Sequence, residues 1–377
     1  MRRFYCIALL MAGWAARQPV AAQGALSIQG FGYPTGQAST RAAATAGALG
    51  ETDPGSPINP AALPNAGRSL FMFQMDPEFR QLTVNGRTVN TTTARFPVIS
   101  IGTKVGGRSF IGVSFSTLLD RTWDAAYPDS VSVGGDHVAS TIAATVRGAI
   151  NDARVAYAWQ FSDKLQAGVA FHALTGANRM RLQRTFDDST TFGALSQAIT
   201  LAYSGSAVSA GVVATPVPHL VIGASVRAGG AMNTRYNDTL ATKGNAPGRF
   251  GASLTYDGIP GSQLVVRVNH EQWSRMRTLG SAALDVHDAN ELSAGADIAG
   301  PKFQGFPTLV RFGARTRTLP FGYQGQAVSE RTLAAGGGVT IARGWASVDV
   351  SVQRSQRKAS GLQEKGTILS VGLSVRP

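Results

Sequence analysis

Trp345-Ala346-Ser347-Val348-Asp349-Val350-Ser351-Val352-Gln353 alternates without a break. Ala346, Val348, Val350 and Val352 take one set of positions; Ser347, Asp349, Ser351 and Gln353 take the other. Successive side chains of a strand point to opposite faces, so this stretch presents one apolar face and one wet face. The same period runs through Leu309–Arg317, where Val310, Phe312 and Ala314 oppose Arg311, Gly313, Arg315 and Arg317. It returns in 154–161, 165–173, 249–256, 264–269 and 367–375. Helical spacing fits none of these windows.

Working outward, about fourteen such segments can be counted, an even number as single-chain bacterial barrels prefer. They fall near 68–79, 93–105, 108–118, 141–161, 165–185, 197–215, 220–236, 248–258, 262–273, 290–299, 307–318, 330–343, 344–357 and 366–375. The joints between them alternate. Gly106-Gly107, Ser162-Asp163-Lys164 and Arg343-Gly344 are short, whereas 119–140, 186–196, 237–247, 274–289, 319–329 and 358–365 are long and polar. Short periplasmic turns and long extracellular loops mark an outer-membrane barrel, with both chain ends in the periplasm. The expected fold is all-β: a transmembrane antiparallel β-barrel of about fourteen strands in the bacterial outer membrane, touching its lipid.

The composition agrees. Charged residues make up 15% of the 377 and hydrophobic ones 44%. The low charge is unlike an average soluble domain, and no apolar run after the first residues is long enough for a helical span. Arg2 and Arg3, the apolar stretch 4–16 and Val20-Ala21-Ala22-Gln23 read as a secretory signal peptide over 1–22. The single cysteine, Cys6, lies inside it, so the mature chain is expected to have neither disulfide nor thiolate.

Residues 23–67 do not read as strand. Ser39–Ala48 suits a short helical turn, and Asp53-Pro54-Gly55-Ser56-Pro57-Ile58-Asn59-Pro60 is a chain of turn formers. The segment carries little charge and several apolar residues, unlike a solvated tail. It is expected to be a plug in the lumen of a barrel over 68–377, with the Asn59 side chain closing a turn against nearby backbone.

Three places resemble the FadL-like family of transporters for long-chain fatty acids and other hydrophobic compounds. Asn59-Pro60-Ala61 before the first strand looks like that family's plug motif. Arg311 to Phe321 is similar to a late strand with a Leu-Pro-Phe loop, and Gly336-Gly337-Gly338 with Ala342 to Ala346 is similar to the penultimate hairpin. The resemblance implies uptake of hydrophobic small molecules such as long-chain fatty acids. It also implies a bend in the third strand that opens the wall sideways; Gly112, within Phe110–Leu118, is the candidate. Related barrels with the same motif serve secretion systems, so a barrel that binds periplasmic or secretion-system proteins is the alternative.

No catalytic set, cofactor motif or metal-ligand spacing is legible. His137, His172, His219, His270 and His287 are scattered, and His270-Glu271 lacks the second histidine of a zinc-protease helix. The net charge of +13 does not signal nucleic acid, because the arginines fall on the wet faces of strands rather than among exposed aromatics. Facing lipid, each would cost about 2–4 kcal/mol, so they belong in the lumen. Arg311, Arg315 and Arg317 share one face and are the candidate ligand-binding residues for a carboxylate head. The alternative is a structural ladder with Asp297 and Asp349. Two acids leave one arginine over, and Arg317 is expected to keep spare hydrogen-bonding capacity.

Overall fold

A computed structural model describes residues 21–23, 31–84, 87–95, 98–133, 136–279, 285–323, 325–359 and 362–376. The signal-peptide assignment falls almost wholly on 1–20, outside the described residues. Fourteen antiparallel strands close into a barrel. They are β1 (Leu70–Val84), β2 (Arg87–Arg95 and Val98–Lys104), β3 (Ser109–Asp120 and Trp123–Val133), β4 (Asp136–Ser162) and β5 (Leu165–Phe186). Then come β6 (Leu195–Val217), β7 (Leu220–Tyr236), β8 (Thr239–Asn245 and Gly248–Tyr256), β9 (Ser262–Gln272) and β10 (Ala289–Ala299). The last four are β11 (Thr308–Tyr323), β12 (Gln326–Ile341), β13 (Ala346–Ala359) and β14 (Leu362–Val375). Each pairs with its neighbour in sequence, and β14 returns to β1 with Val375 opposite Phe71 and Gln363 opposite Thr83. Closure leaves no sheet edge around most of the wall.

The alternation sorts the two faces as expected. Val348, Val350 and Val352 point outward and are exposed, whereas Asp349, Ser351 and Gln353 are buried toward the lumen. Phe71, Phe73, Val155, Tyr157, Phe250, Leu264 and Phe312 continue the outward apolar band.

The stretches 119–140, 237–247, 319–329 and 358–365, expected as loops, are largely strand. Beyond the apolar band both faces of a strand are wet. Period 2 then vanishes from the sequence while the hydrogen-bonded ladder continues. Non-strand residues at that end are 187–194, 273–279 and 285–288, with a 3₁₀ turn over Trp273–Leu279.

Residues 31–67 run inside the barrel. They contain helix α1 (Thr40–Ala44), whose Ser39 side chain caps its first turn, and 3₁₀ turns over Ala48–Glu51 and Pro60–Ala66. Glycines let this segment lie against the wall. A side chain at Gly313 would strike the Thr45 backbone, and one at Gly295 would meet Thr45 Cβ at 2.7 Å.

Candidate functional site

The lumen wall is a ring of buried arginines held at different depths by acids. Arg311 on β11 sits between Asp297 on β10, at 3.1 Å, and Asp349 on β13, at 2.5 Å. Arg41 of α1 reaches the same Asp297 at 3.2 Å, tying the inner segment to the wall. Two steps along β11 lies a larger hub around Glu330 of β12. This carboxylate accepts from Arg317 Nε at 2.7 Å, Arg357 Nε at 2.7 Å, Arg315 Nη2 at 3.3 Å and the Tyr33 hydroxyl at 2.6 Å. Arg357 also pairs with Glu78 and Glu364. The Tyr33 ring lies among the guanidinium groups of Arg357, Arg317 and Arg80, at 4.2, 5.2 and 5.5 Å. Burial raises the Tyr33 hydroxyl pKa against the pull of Arg317 and Arg357, so the ring stays neutral.

Arg317 therefore differs from expectation. It is 7% exposed, donates to Glu330, and its Nη2 donates to Tyr33 at 2.5 Å. The acids missing from the sequence count were Glu330 and Glu291, which face the lumen on β12 and β10. Both stand directly opposite Arg317 in the ladder, and their place on the wet face of their own strands was the signal available in sequence.

A second tether holds the 3₁₀ turn. Glu51 is fully buried, bonded to Arg249, to Arg267 at 3.2 Å and to Ser225 at 2.7 Å. Burial alone would raise its pKa; Arg249, Arg267 and the Ser225 hydroxyl outweigh it and hold the pKa below 4.5. Asn59 caps the next turn by accepting from the Ala61 amide at 2.9 Å. Its Nδ2 donates to Glu51 O at 3.0 Å and to wall carbonyls of Val212 and Ala224 at 3.2 and 3.3 Å. Pro60 and Ala61 follow as the first buried residues of that turn.

The β3–β7 side is different. Asp152 is bonded to His172 Nδ1 at 2.9 Å and Gln37 at 3.0 Å, and His172 Nε2 contacts the Ser209 hydroxyl at 2.8 Å. The chain of groups resembles a nucleophile triad, but Ser209 sits mid-strand, in register with Ala170 and Arg227, so its backbone N–H belongs to the sheet rather than to an oxyanion pocket. The adjoining cavity, about 40 Å³, has room for no more than a water or two. Arg154, 4% exposed, has no hydrogen-bond partner for Nε or Nη2 among the described residues, and Arg227 has none for Nη2.

Above these groups the lumen is apolar. Leu118, Leu119, Ile150, Leu174, Tyr203 and Met232 from β3–β7 pack under Trp273, Met276 and Leu279 of the long loop. These side chains fill the apolar chamber they form, and the wall beside it is irregular. Among the described residues, pairing of β2 with β3 ends at Val98–Ser116, a bulge follows between Thr117 and Leu119, and β3 breaks at Arg121-Thr122. Past Ser116 the β3 edge pairs not with β2 but with Tyr33-Pro34 and Ala21–Gln23. Gly112 is not the bend: it stays in register between Gly102 and Ala156, and its bare Cα makes room for Leu63, 2.9 Å from where a Cβ would stand. The signal for the bulge was Leu118-Leu119, two successive leucines that break period 2.

Among the described residues no group of three or more histidine, cysteine or acidic side chains could hold a metal, and no helix is long and apolar enough to cross a membrane. No family model and no curated protein matches the sequence. Solved structures do. A Pseudomonas aeruginosa FadL homologue is 12% identical with a TM-score of 0.65, over 92% of this chain and 99% of that one. The monoaromatic hydrocarbon channel CymD is 13% identical with a TM-score of 0.55, over 92% and 98%. The Pseudomonas putida toluene transporter TodX is 11% identical with a TM-score of 0.55, over 93% and 99%. The chain thus has the fold of FadL-type barrels.

Proposed function

We propose that the protein is an outer-membrane channel passing hydrophobic small molecules between its lumen and the bilayer, with residues 23–67 as its plug. One observation carries this reading: the apolar chamber lies beside the stretch where β3 pairs with Tyr33-Pro34 and Ala21–Gln23 and, among the described residues, not with β2. Leu118 and Leu119 belong to both. A cargo leaving water gains about 25 cal/mol for each Å² of apolar surface it buries there. It can exchange sideways with lipid once Tyr33-Pro34 is displaced. The free space of about 40 Å³ near the arginines admits no cargo, so passage down the lumen requires the plug to shift.

The hydrocarbon channels of the same fold favour cargo without a charged head. Long-chain fatty acids are the narrower reading. Their carboxylate would meet Arg154, which forms no ion pair among the described residues, rather than Arg311, Arg315 and Arg317, which are already held by Asp349 and Glu330. Arg154 lies two inward positions below Ile150 of the chamber, about 13 Å along the strand.

Uptake by cells expressing the protein tests the chamber. Leu119→Asp places an unpaired carboxylate among apolar groups, a burial that costs about 1–3 kcal/mol or more. Toluene and dodecanoate uptake should both fall at least about tenfold, with the inserted amount held equal by heat-shifted gel mobility. Met232→Gln gives the milder version. Unchanged uptake in both variants would overturn the route.

A further inference from the structure

The outward face carries a second feature that transport does not use. Two adjacent cross-strand rows run over β10–β14 to β1 near the loop end. The lower is Ala294–Ala314–Leu333–Arg354–Thr367–Phe79, each opposite the next. The upper is Leu292–Thr316–Arg331–Gln356–Lys365–Gln81, likewise in register. The paired alanines sink the wall between Leu292 and Leu333 into an outward trough of about 790 Å³ whose rim holds Arg331, Arg354 and Lys365.

All three basic side chains are exposed, and none forms an ion pair among the described residues. Arg354 donates only to the Thr367 hydroxyl. No acidic residue occurs in either row. Adjacent strands lie about 4.8 Å apart, so Arg331 and Lys365 start about 10 Å apart with Arg354 between and one step below them. Their depth is defined. From Val375 to Lys365 the strand climbs about 25 Å at about 3.3 Å per residue and about 40° tilt, the height of the apolar band. Val352 and Leu369 below them, and Leu333 level with Arg354, are lipid-facing. Three unpaired cations at one interface, above an apolar trough, repel one another unless an anion joins them.

We propose that this trough binds a phosphorylated, multiply acylated lipid of the outer leaflet, with the phosphate among Arg331, Arg354 and Lys365 and an acyl chain along Ala294, Ala314 and Leu333. The occupant follows from the charge and the depth: free phosphate would leave the apolar floor bare, and a protein partner would have to sit within the lipid band. The proposal rests on outer-membrane placement but not on transport.

Full-length protein in detergent, titrated with lipid A and followed by native mass spectrometry, provides the test. Arg331→Gln/Arg354→Gln/Lys365→Gln should weaken lipid A binding about a hundredfold, three basic groups at about fivefold each. The same variant should keep heat-shifted mobility, since no ion pair is lost. Arg179→Gln/Arg181→Gln, on the outward face of β5, should bind as the wild type does. Dephosphorylated lipid A should bind the wild type as weakly as lipid A binds the triple variant, and inorganic phosphate should not compete. Equal lipid A binding by wild type and triple variant, equal binding of the dephosphorylated lipid, or displacement by inorganic phosphate would each overturn the assignment. A barrel that transports nothing yet passes these tests would sink the channel reading alone.

Discussion

The β8-to-β1 side of the lumen and the β3–β7 side handle buried charge differently. On the first, Arg267, Arg311, Arg315, Arg317 and Arg357 each meet one or more carboxylates, and α1, Tyr33 and Glu51 are tied into the same pairs. On the second, Arg154 forms no ion pair among the described residues and Arg227 only a long one to Asp152, at 4.0 Å, beneath an apolar chamber next to the irregular β3 edge. The ion-paired arginines anchor the inner segment; Arg154 is left open. The segment should therefore swing about the β8-to-β1 side and part from the β3–β7 side, where apolar contacts and the hydrogen bonds of Gln37 and Asn59, rather than ion pairs, hold it.

The largest expected effect breaks the anchored side. Glu330→Gln leaves Arg315, Arg317 and Arg357 facing a neutral amide in a buried hub. Removing one partner from a buried ionic cluster costs about 3–5 kcal/mol. Urea unfolding in detergent, followed by tryptophan fluorescence, should show that loss. A change below about 1 kcal/mol, the scale of an exposed ion pair, would show that water screens the hub and that the two sides do not differ.

Acid should release the second tether. Glu51 has its pKa depressed when folded, so its contribution is complete above about pH 4.5 and is lost as pH falls through the lower folded value. Conductance in planar bilayers should stay level from pH 8 to 5 and rise only once the pH falls through the depressed pKa of Glu51. Glu51→Gln should show the raised conductance at neutral pH, having lost a charged hydrogen-bond acceptor worth about 1.5–3 kcal/mol. Flat conductance in the variant at all pH would place the hold elsewhere, in Tyr33 or Asn59.

The two sides were unequally legible in the sequence. Alternation at Trp345–Gln353 and Leu309–Arg317 fixed which faces are wet, because in the apolar band each position meets either lipid or lumen. The acids opposite Arg315 and Arg317 were harder to find. Glu330 and Glu291 come from neighbouring strands, and their meeting depends on register, set by hairpin geometry. The inner segment's contacts were less visible still. Thr45 against Gly313, or Leu63 against Gly112, depends on how a non-repeating segment packs in a closed wall. A glycine in a strand marks either a bend or a close approach, and at Gly112 close approach prevailed.

The smallest effect sharpens the comparison by its sign. Arg154 is buried on β4, and its nearest acid, Asp152, is already bonded to His172 and Gln37. A buried cation without full pairing costs desolvation that little attraction offsets, so an apolar side chain of similar length should be neutral or stabilising by about 1 kcal/mol. Arg154→Met is therefore expected to raise the urea midpoint slightly, whereas Arg315→Met, which leaves Glu291 and Glu330 short of a partner, should lower it. If Arg154 is also the docking point for an acid cargo, the same variant should weaken dodecanoate binding by about 1.5–3 kcal/mol and leave dodecanol unaffected. A fall in stability for both variants would mean that Arg154 has a partner in solution and that the asymmetry is not real. A stable variant that binds acid and alcohol as before would keep the asymmetry but remove Arg154 from the cargo path.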